Sequence, residues 1–206
     1  MDKLAYKSAT KQCFTGIIVA IVLTCVAAIA QTILIASLNI APLMVLPIVI
    51  CIGWVIYLLG LGKLERALDN PEDAGAVKKL RIATIITIVI NLLTIVIYYM
   101  LYDAVSSFDL GKIYTMGNLA TYFGLVSIIP LIINIIGYNS LKNSSSFPGT
   151  KGANLLFISQ ILYAVGVVLA LIPVAGSILG GLVNIAAFVL YIVGWVKIKN
   201  AEVVEE

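Results

Sequence analysis

Four stretches of this chain, residues 12–62, 82–102, 113–141 and 152–196, contain no Asp, Glu, Lys or Arg. Each holds one or two segments of the ~20 apolar residues that cross ~30 Å of hydrocarbon. Lipid offers no water to an unpaired backbone N–H or C=O, and the runs lack strand-like alternation, so they must be helices. The sequence predicts six spans, at about 14–35, 43–61, 82–101, 119–138, 153–171 and 177–196. Composition agrees. A soluble domain is roughly a quarter charged, whereas these 206 residues are 11% charged and 62% hydrophobic, with a mean hydropathy of +1.11.

Six spans put both termini on one face, and every Lys and Arg except Lys112 then falls on that face. Lys3, Lys7 and Lys11 precede the first span; Lys63, Arg66, Lys78, Lys79 and Arg81 come after the second; Lys142 and Lys151 come after the fourth; Lys197 and Lys199 come after the sixth. Basic residues of short loops stay on the cytoplasmic side. The expected topology is therefore multi-pass, in a bacterial-type cytoplasmic (inner) membrane, with the amino and carboxyl ends both cytoplasmic. Five or seven spans would scramble the partition, so the charges support the count as well as the direction. The three leading lysines, the apolar run after them and Ala28-Ile29-Ala30 resemble a secretory signal, whose core is ~7–15 residues. Here the run passes through that site to Leu38, and an uncleaved first helix is expected.

The expected fold is one all-α domain over residues 1–206, a polytopic membrane protein of three in-out-in helical hairpins. The second, fourth and sixth spans end alike: Gly60-Leu61-Gly62-Lys63-Leu64-Glu65, Gly137-Tyr138-Asn139-Ser140-Leu141-Lys142 and Gly194-Trp195-Val196-Lys197-Ile198-Lys199. In each, an aliphatic residue stands four positions after the glycine and a charge comes next. Parallel repeats of this kind relate by an axis along the membrane normal. Independent convergence of cytoplasmic helix ends on glycine, an aliphatic residue and lysine accounts for the same text, and both readings stay open. Asn70-Pro71-Glu72-Asp73 supplies an N-cap, a first-turn proline and acids that suit a helix dipole. Helix three is thus expected to start two to three turns before Ile82. Pro47 with Gly53, and Pro130, are expected to kink their helices.

The segment Leu171-Ile172-Pro173-Val174-Ala175-Gly176-Ser177-Ile178-Leu179-Gly180, with the Gly194 ending after it, resembles hairpins of small, largely uncharacterised multi-pass membrane proteins of bacteria and archaea. The resemblance covers the last part of the chain, implies a membrane hairpin and brings no catalytic or binding residues with it. Three tandem hairpins also resemble the mitochondrial carriers in outline, but the Pro-x-Asp/Glu-x-x-Lys/Arg signature of that family is absent.

Inside the spans, Thr84, Thr87, Asn91 and Thr94 share one face of helix three. Such a stripe can line a hydrated path, or it can pack helices through hydrogen bonds worth about 0.6 kcal/mol each. Asn134, Gln160 and Gln31 add one amide each to helices four, five and one. In helix six, Ser177, Gly180 or Gly181, Asn184, Ala187 and Tyr191 share a face, and Gly176 with Gly180 makes a GxxxG that predicts a close helix contact. Lys78, Lys79 and Arg81 read as contacts to anionic headgroups. Tyr98, Tyr99, Tyr102, Tyr114 and Tyr122 gather at the outer ends of helices three and four, as an aromatic belt does.

What is missing narrows function further. No span carries Asp, Glu, His, Lys or Arg, whereas proton-coupled carriers keep such a group despite its cost of at least ~2.5 kcal/mol. With no histidine, acid–base chemistry would fall to Glu65, Asp69, Glu72 and Asp73, which helix capping and ion pairing explain with less assumed. Cys13, Cys25 and Cys51 lack metal-ligand or redox spacing. The sequence points to a non-enzymatic membrane protein with no metal, cofactor or nucleic acid. Its partners are the lipid bilayer and either a second copy of itself or another membrane protein, joined through helix faces. The alternative is a passive channel or facilitator for a small solute or ion, lined by the polar face of helix three.

Overall fold

The computed structural model describes residues 2–37, 41–107, 111, 114–115, 126–169, 172 and 175–203. Among them are six α-helices: α1 (Lys3–Ala36), α2 (Leu46–Ala67, entered through a 3-10 turn at Ala41–Val45), α3 (Pro71–Ser106), α4 (Ile128–Lys142), α5 (Thr150–Leu169) and α6 (Ala175–Lys199). The described residues contain no strand. All the helices but α4 are long and apolar enough to cross a membrane. Residues 119–125 of the fourth expected span lie outside the described residues, which leaves α4 as a 15-residue helix.

The outward faces are those of a protein dissolved in lipid. Val22, Val26, Ile29 and Ile33 on α1, Ile85, Val89, Leu92 and Val96 on α3, and Leu182, Ile185, Val189 and Val193 on α6 recur at helical spacing, all exposed. A water-soluble monomer rarely exposes an apolar patch beyond a few hundred Å². An apolar belt around the whole bundle identifies a multi-pass integral membrane protein.

Local chemistry starts the helices. The Asn70 side chain accepts a hydrogen bond from the Glu72 N–H (2.8 Å) and Pro71 opens α3, so this helix begins about three turns before Ile82, as expected. Asp2 caps α1 in the same way, accepting from Leu4 and Ala5. Pro47 is the second residue of α2 and Pro130 the third of α4. A first-turn N–H has no intrahelical partner to lose, so Pro47 opens α2 after the 3-10 turn, while just before Pro130 the helical backbone at Val126 is interrupted at Ser127.

The helices form a ring in chain order. Each packs on its neighbours in sequence, α6 returns to α1, and among the described residues no helix packs across the ring. Glycine sets the tightest approaches. A Cβ on Gly60 would lie 2.6 Å from the Cys13 backbone, one on Gly137 2.6 Å from the Leu80 side chain, and one on Gly194 2.8 Å from Leu156. These are the three glycines of the repeated helix ends, and each meets the first helix of its own hairpin. Their C-terminal neighbours, Leu61, Tyr138 and Trp195, are all buried, as are Leu64, Leu141 and Ile198 at the fourth position after each glycine. On the first helices Cys13, Leu80 and Leu156, which these glycines meet, are buried at the matching level. Burial therefore repeats at matched positions of the three hairpins.

Those residues form one core at the end where both termini lie, which is also where the basic residues cluster. There the Tyr6 hydroxyl donates to the Ile198 carbonyl (3.2 Å) and the Lys142 ammonium sits over the Phe157 ring. The 143–147 turn is held by Ser146, which donates to the Asp73 carboxylate (2.6 Å) and accepts from the Asn70 amide (2.7 Å). Asp73 is therefore buried as a tether, beyond the dipole role expected of it.

Candidate functional site: an uncharged central cavity

Above this core the ring does not fill its centre. A cavity of about 610 Å³ is lined by all six helices, within the 300–1,000 Å³ of ordinary small-molecule sites. Thr84, Thr87 and Asn91 of α3, Asn134 of α4, Gln160 of α5 and Asn184 of α6 all face it. The lining contains no charged residue. The repeat in sequence persists in the wall: Trp54, Leu131 and Phe188 stand six positions before the three glycines, and Tyr57, Asn134 and Tyr191 three positions before them, one turn closer to the basic end.

The stripe on α3 does not tie helices together. Thr84 donates to the Leu80 carbonyl (2.8 Å), Thr87 to Ala83 (2.9 Å) and Thr94 to Ile90 (3.0 Å), while the Asn91 amide donates to Thr87 (2.9 Å), all within α3 itself. With its amide group engaged there, Asn91 keeps its carbonyl oxygen as an acceptor for whatever enters. A hydrogen bond that does cross helices comes from Ser159, whose hydroxyl donates to the Ala187 carbonyl (2.7 Å) and joins α5 to α6. Sequence reasoning missed Ser159, because a lone serine in an apolar helix carries no periodic signal. Thr94 and Gln31 lie outside the lining.

Asn184 stands apart from the other amides. Its side chain packs on Gly166, where a Cβ would lie 2.1 Å from its carbonyl oxygen. That oxygen is buried and has no hydrogen-bond partner among the described residues. Leaving a buried acceptor unmet costs about 1–3 kcal/mol, a cost that a bound donor would remove.

An aromatic floor closes the cavity toward the basic end. The Tyr57 and Tyr138 hydroxyls are 3.2 Å apart, and the Tyr57 ring meets Trp195 edge to face at 5.4 Å and Trp54 at 6.0 Å. Tyr57, Tyr138 and Trp195 are almost fully buried, so hydrated solutes have no static path through this end.

The remaining expected site residues fall elsewhere. Lys78 and Lys79 are exposed at the basic end, open to headgroups. Arg81 is half-buried and forms an ion pair with Glu65 that joins α3 to α2. In α6 the close approach is at Gly194 against Gly152. Gly181 has nothing within 4 Å of where a Cβ would sit, so it makes no helix contact there among the described residues. Gly180 is buried, while the surroundings of Gly176 lie outside what is described. Tyr99, Tyr102 and Tyr114 are exposed at the far end, and Tyr122 lies outside the described residues. No group of three His, Cys, Asp or Glu among the described residues is placed to hold a metal ion. No family model, curated protein or solved structure matches this chain, and the site is read from its own geometry.

Proposed function

We propose that the chain is a non-enzymatic membrane protein whose central cavity receives an uncharged, hydrogen-bonding molecule, as a passive facilitator or a binding protein would. The observation that carries this reading is the convergence of Thr84, Thr87, Asn91, Asn134, Gln160 and Asn184 on one uncharged space. Their number and common direction suit a ligand that needs several hydrogen bonds and carries no charge, because an ion would find no counter-charge there. The acidic side chains best placed for catalysis are otherwise engaged, Glu65 by Arg81 and Asp73 by Ser146. The retention of basic residues on the inner face favours a closed end that lies in the cytoplasm.

The test uses the protein in vesicles with glycerol, urea and straight-chain alcohols. Cys25 is an exposed thiol on the cavity wall, while Cys13 and Cys51 are buried, so alkylation reports occupancy at one position. At least one of these compounds should cross faster than through protein-free vesicles or slow Cys25 alkylation, and Asn91→Leu should remove that effect from a folded protein. If none does either, the reading is withdrawn.

A second reading is association, with another copy or a membrane protein partner. The open space at Gly181, between the exposed Leu179 and Leu182, is room for a neighbouring helix to approach. It expects a discrete oligomer in mild detergent and no flux. A monomer in every condition and with every candidate partner would remove it.

A further inference from the structure

We propose that the cavity is loaded from the bilayer, through the seam between α1 and α6, and that its ligand is an uncharged amphiphile: a hydrogen-bonding head on an aliphatic chain. This inference rests on the cavity reading above and names the class of molecule and its route.

The seam is the weak joint of the ring. The hairpin pairs α1 with α2 and α5 with α6 pack along their lengths through glycine, whereas α6 and α1 share the least packing of any neighbouring pair. What joins them lies at the basic end, where Tyr6 donates to Ile198 and the Lys199 ammonium stands 4.5 Å from the centre of the Phe14 ring. Higher up, both helices contribute cavity wall at their shared edge. Thr24 and Cys25 on α1 and Phe188 on α6 line the cavity and are exposed as well, the accessible edge that a route between these two helices needs. Asn184 is on the same stretch of α6, its carbonyl oxygen buried without a partner.

Two properties of this route select the ligand. A molecule entering from hydrocarbon has to be soluble there, which excludes ions and strongly hydrated polar solutes. The wall it meets is largely apolar, with amides and hydroxyls gathered at mid-depth, so a chain can remain in the seam while a head group reaches Asn184 and Gln160. An alcohol head donates to the unmet Asn184 oxygen and accepts from an amide N–H.

Trp54 lines the cavity and Trp195 is buried in the floor below it, and the chain has no other tryptophan. The experiment places the whole protein in phosphatidylcholine vesicles and titrates a dibrominated long-chain alcohol, whose bromine quenches tryptophan at short range. Saturable quenching is expected, and Trp54→Phe should leave a residual signal that the alcohol does not quench. The double variant Asn184→Leu with Gln160→Leu should raise the half-saturating dose by about tenfold, the loss of one to two hydrogen bonds. Dibrominated phosphatidylcholine, the control for bulk lipid, should quench without saturating. Non-saturable quenching by the alcohol, or saturation indifferent to the double variant, overturns the proposal. If glycerol or urea protects Cys25 or crosses while the alcohol fails, the cavity opens to water, so the route is wrong and the cavity reading survives. If all of them fail, both ideas fall.

Discussion

The two ends of this bundle are built from the same kind of sequence and do opposite things. At the basic end glycines bring helices into backbone contact, and Tyr57, Tyr138 and Trp195 fill the axis. Two turns away, residues at equivalent places in the three hairpins stand back around an uncharged space. The difference lies in the residues on either side of the glycine. A large side chain one position after it, joined by Tyr57 three positions before Gly60, turns into the axis and closes the ring, while the residues six positions before it face a gap that no side chain fills. Burial of apolar groups supplies little drive between helices in lipid, so close packing has to hold the closed end, and the open region depends on it.

The sharpest break in that contrast is a pair of substitutions within α6. Gly194→Leu forces a side chain into Leu156 and the Gly152 backbone, and a loss of about 3 kcal/mol or more is expected, seen as loss of monodisperse protein in detergent. Gly181→Leu, with nothing within 4 Å, should leave stability within about 0.5 kcal/mol. Equal effects would remove the distinction between the closed end and the rest. Next in size, Tyr138→Ala should cost about 3 kcal/mol by opening a void in the floor, and Tyr138→Phe about 1 kcal/mol through its hydroxyl contact with Tyr57. Unfolding titrations in mixed micelles read both, and a water-soluble thiol reagent should reach Cys25 from the basic side in the alanine variant alone.

The sign reverses in the cavity. Asn184→Leu removes an unpartnered acceptor and should be neutral or stabilising by up to about 1 kcal/mol, while binding or flux is weakened. Destabilisation of more than about 1 kcal/mol would make Asn184 a packing residue. The smallest effects separate two hydroxyls: Ser159→Ala should cost about 0.6 kcal/mol because its bond crosses helices, and Thr87→Val less, since its bond stays within α3. The same micelle titrations decide this, and a larger cost at Thr87 would restore the stripe as helix glue.

Much of the architecture was legible because charge is expensive in lipid. The uncharged runs marked the helices, and the placement of Lys3 through Lys199 set their expected number. Which side of a helix faces inward was not legible from hydrophobicity, since Ile17 in the core and Val22 in the belt are both aliphatic and lipid does not distinguish them. The repeated glycine endings carried that information in a different form, as places where a neighbour comes close. The polar stripe on α3 was visible by its spacing, but spacing cannot say whether a hydroxyl bonds forward to a neighbour or back to its own helix. The position of Pro47 was hidden for a related reason: the penalty of proline depends on its distance from the helix start, and a continuous apolar run conceals that start.

The order of the ring in chain sequence has a consequence for how such a protein can change. The contacts that enclose the axis are shared among three hairpins, whereas the rim above them differs from one to the next, with Tyr57, Asn134 and Tyr191 at one level. One hairpin can therefore exchange its rim chemistry while the other two keep the barrier to the aqueous side intact. In the proposed function, selectivity and leak-tightness would then be inherited separately along the chain.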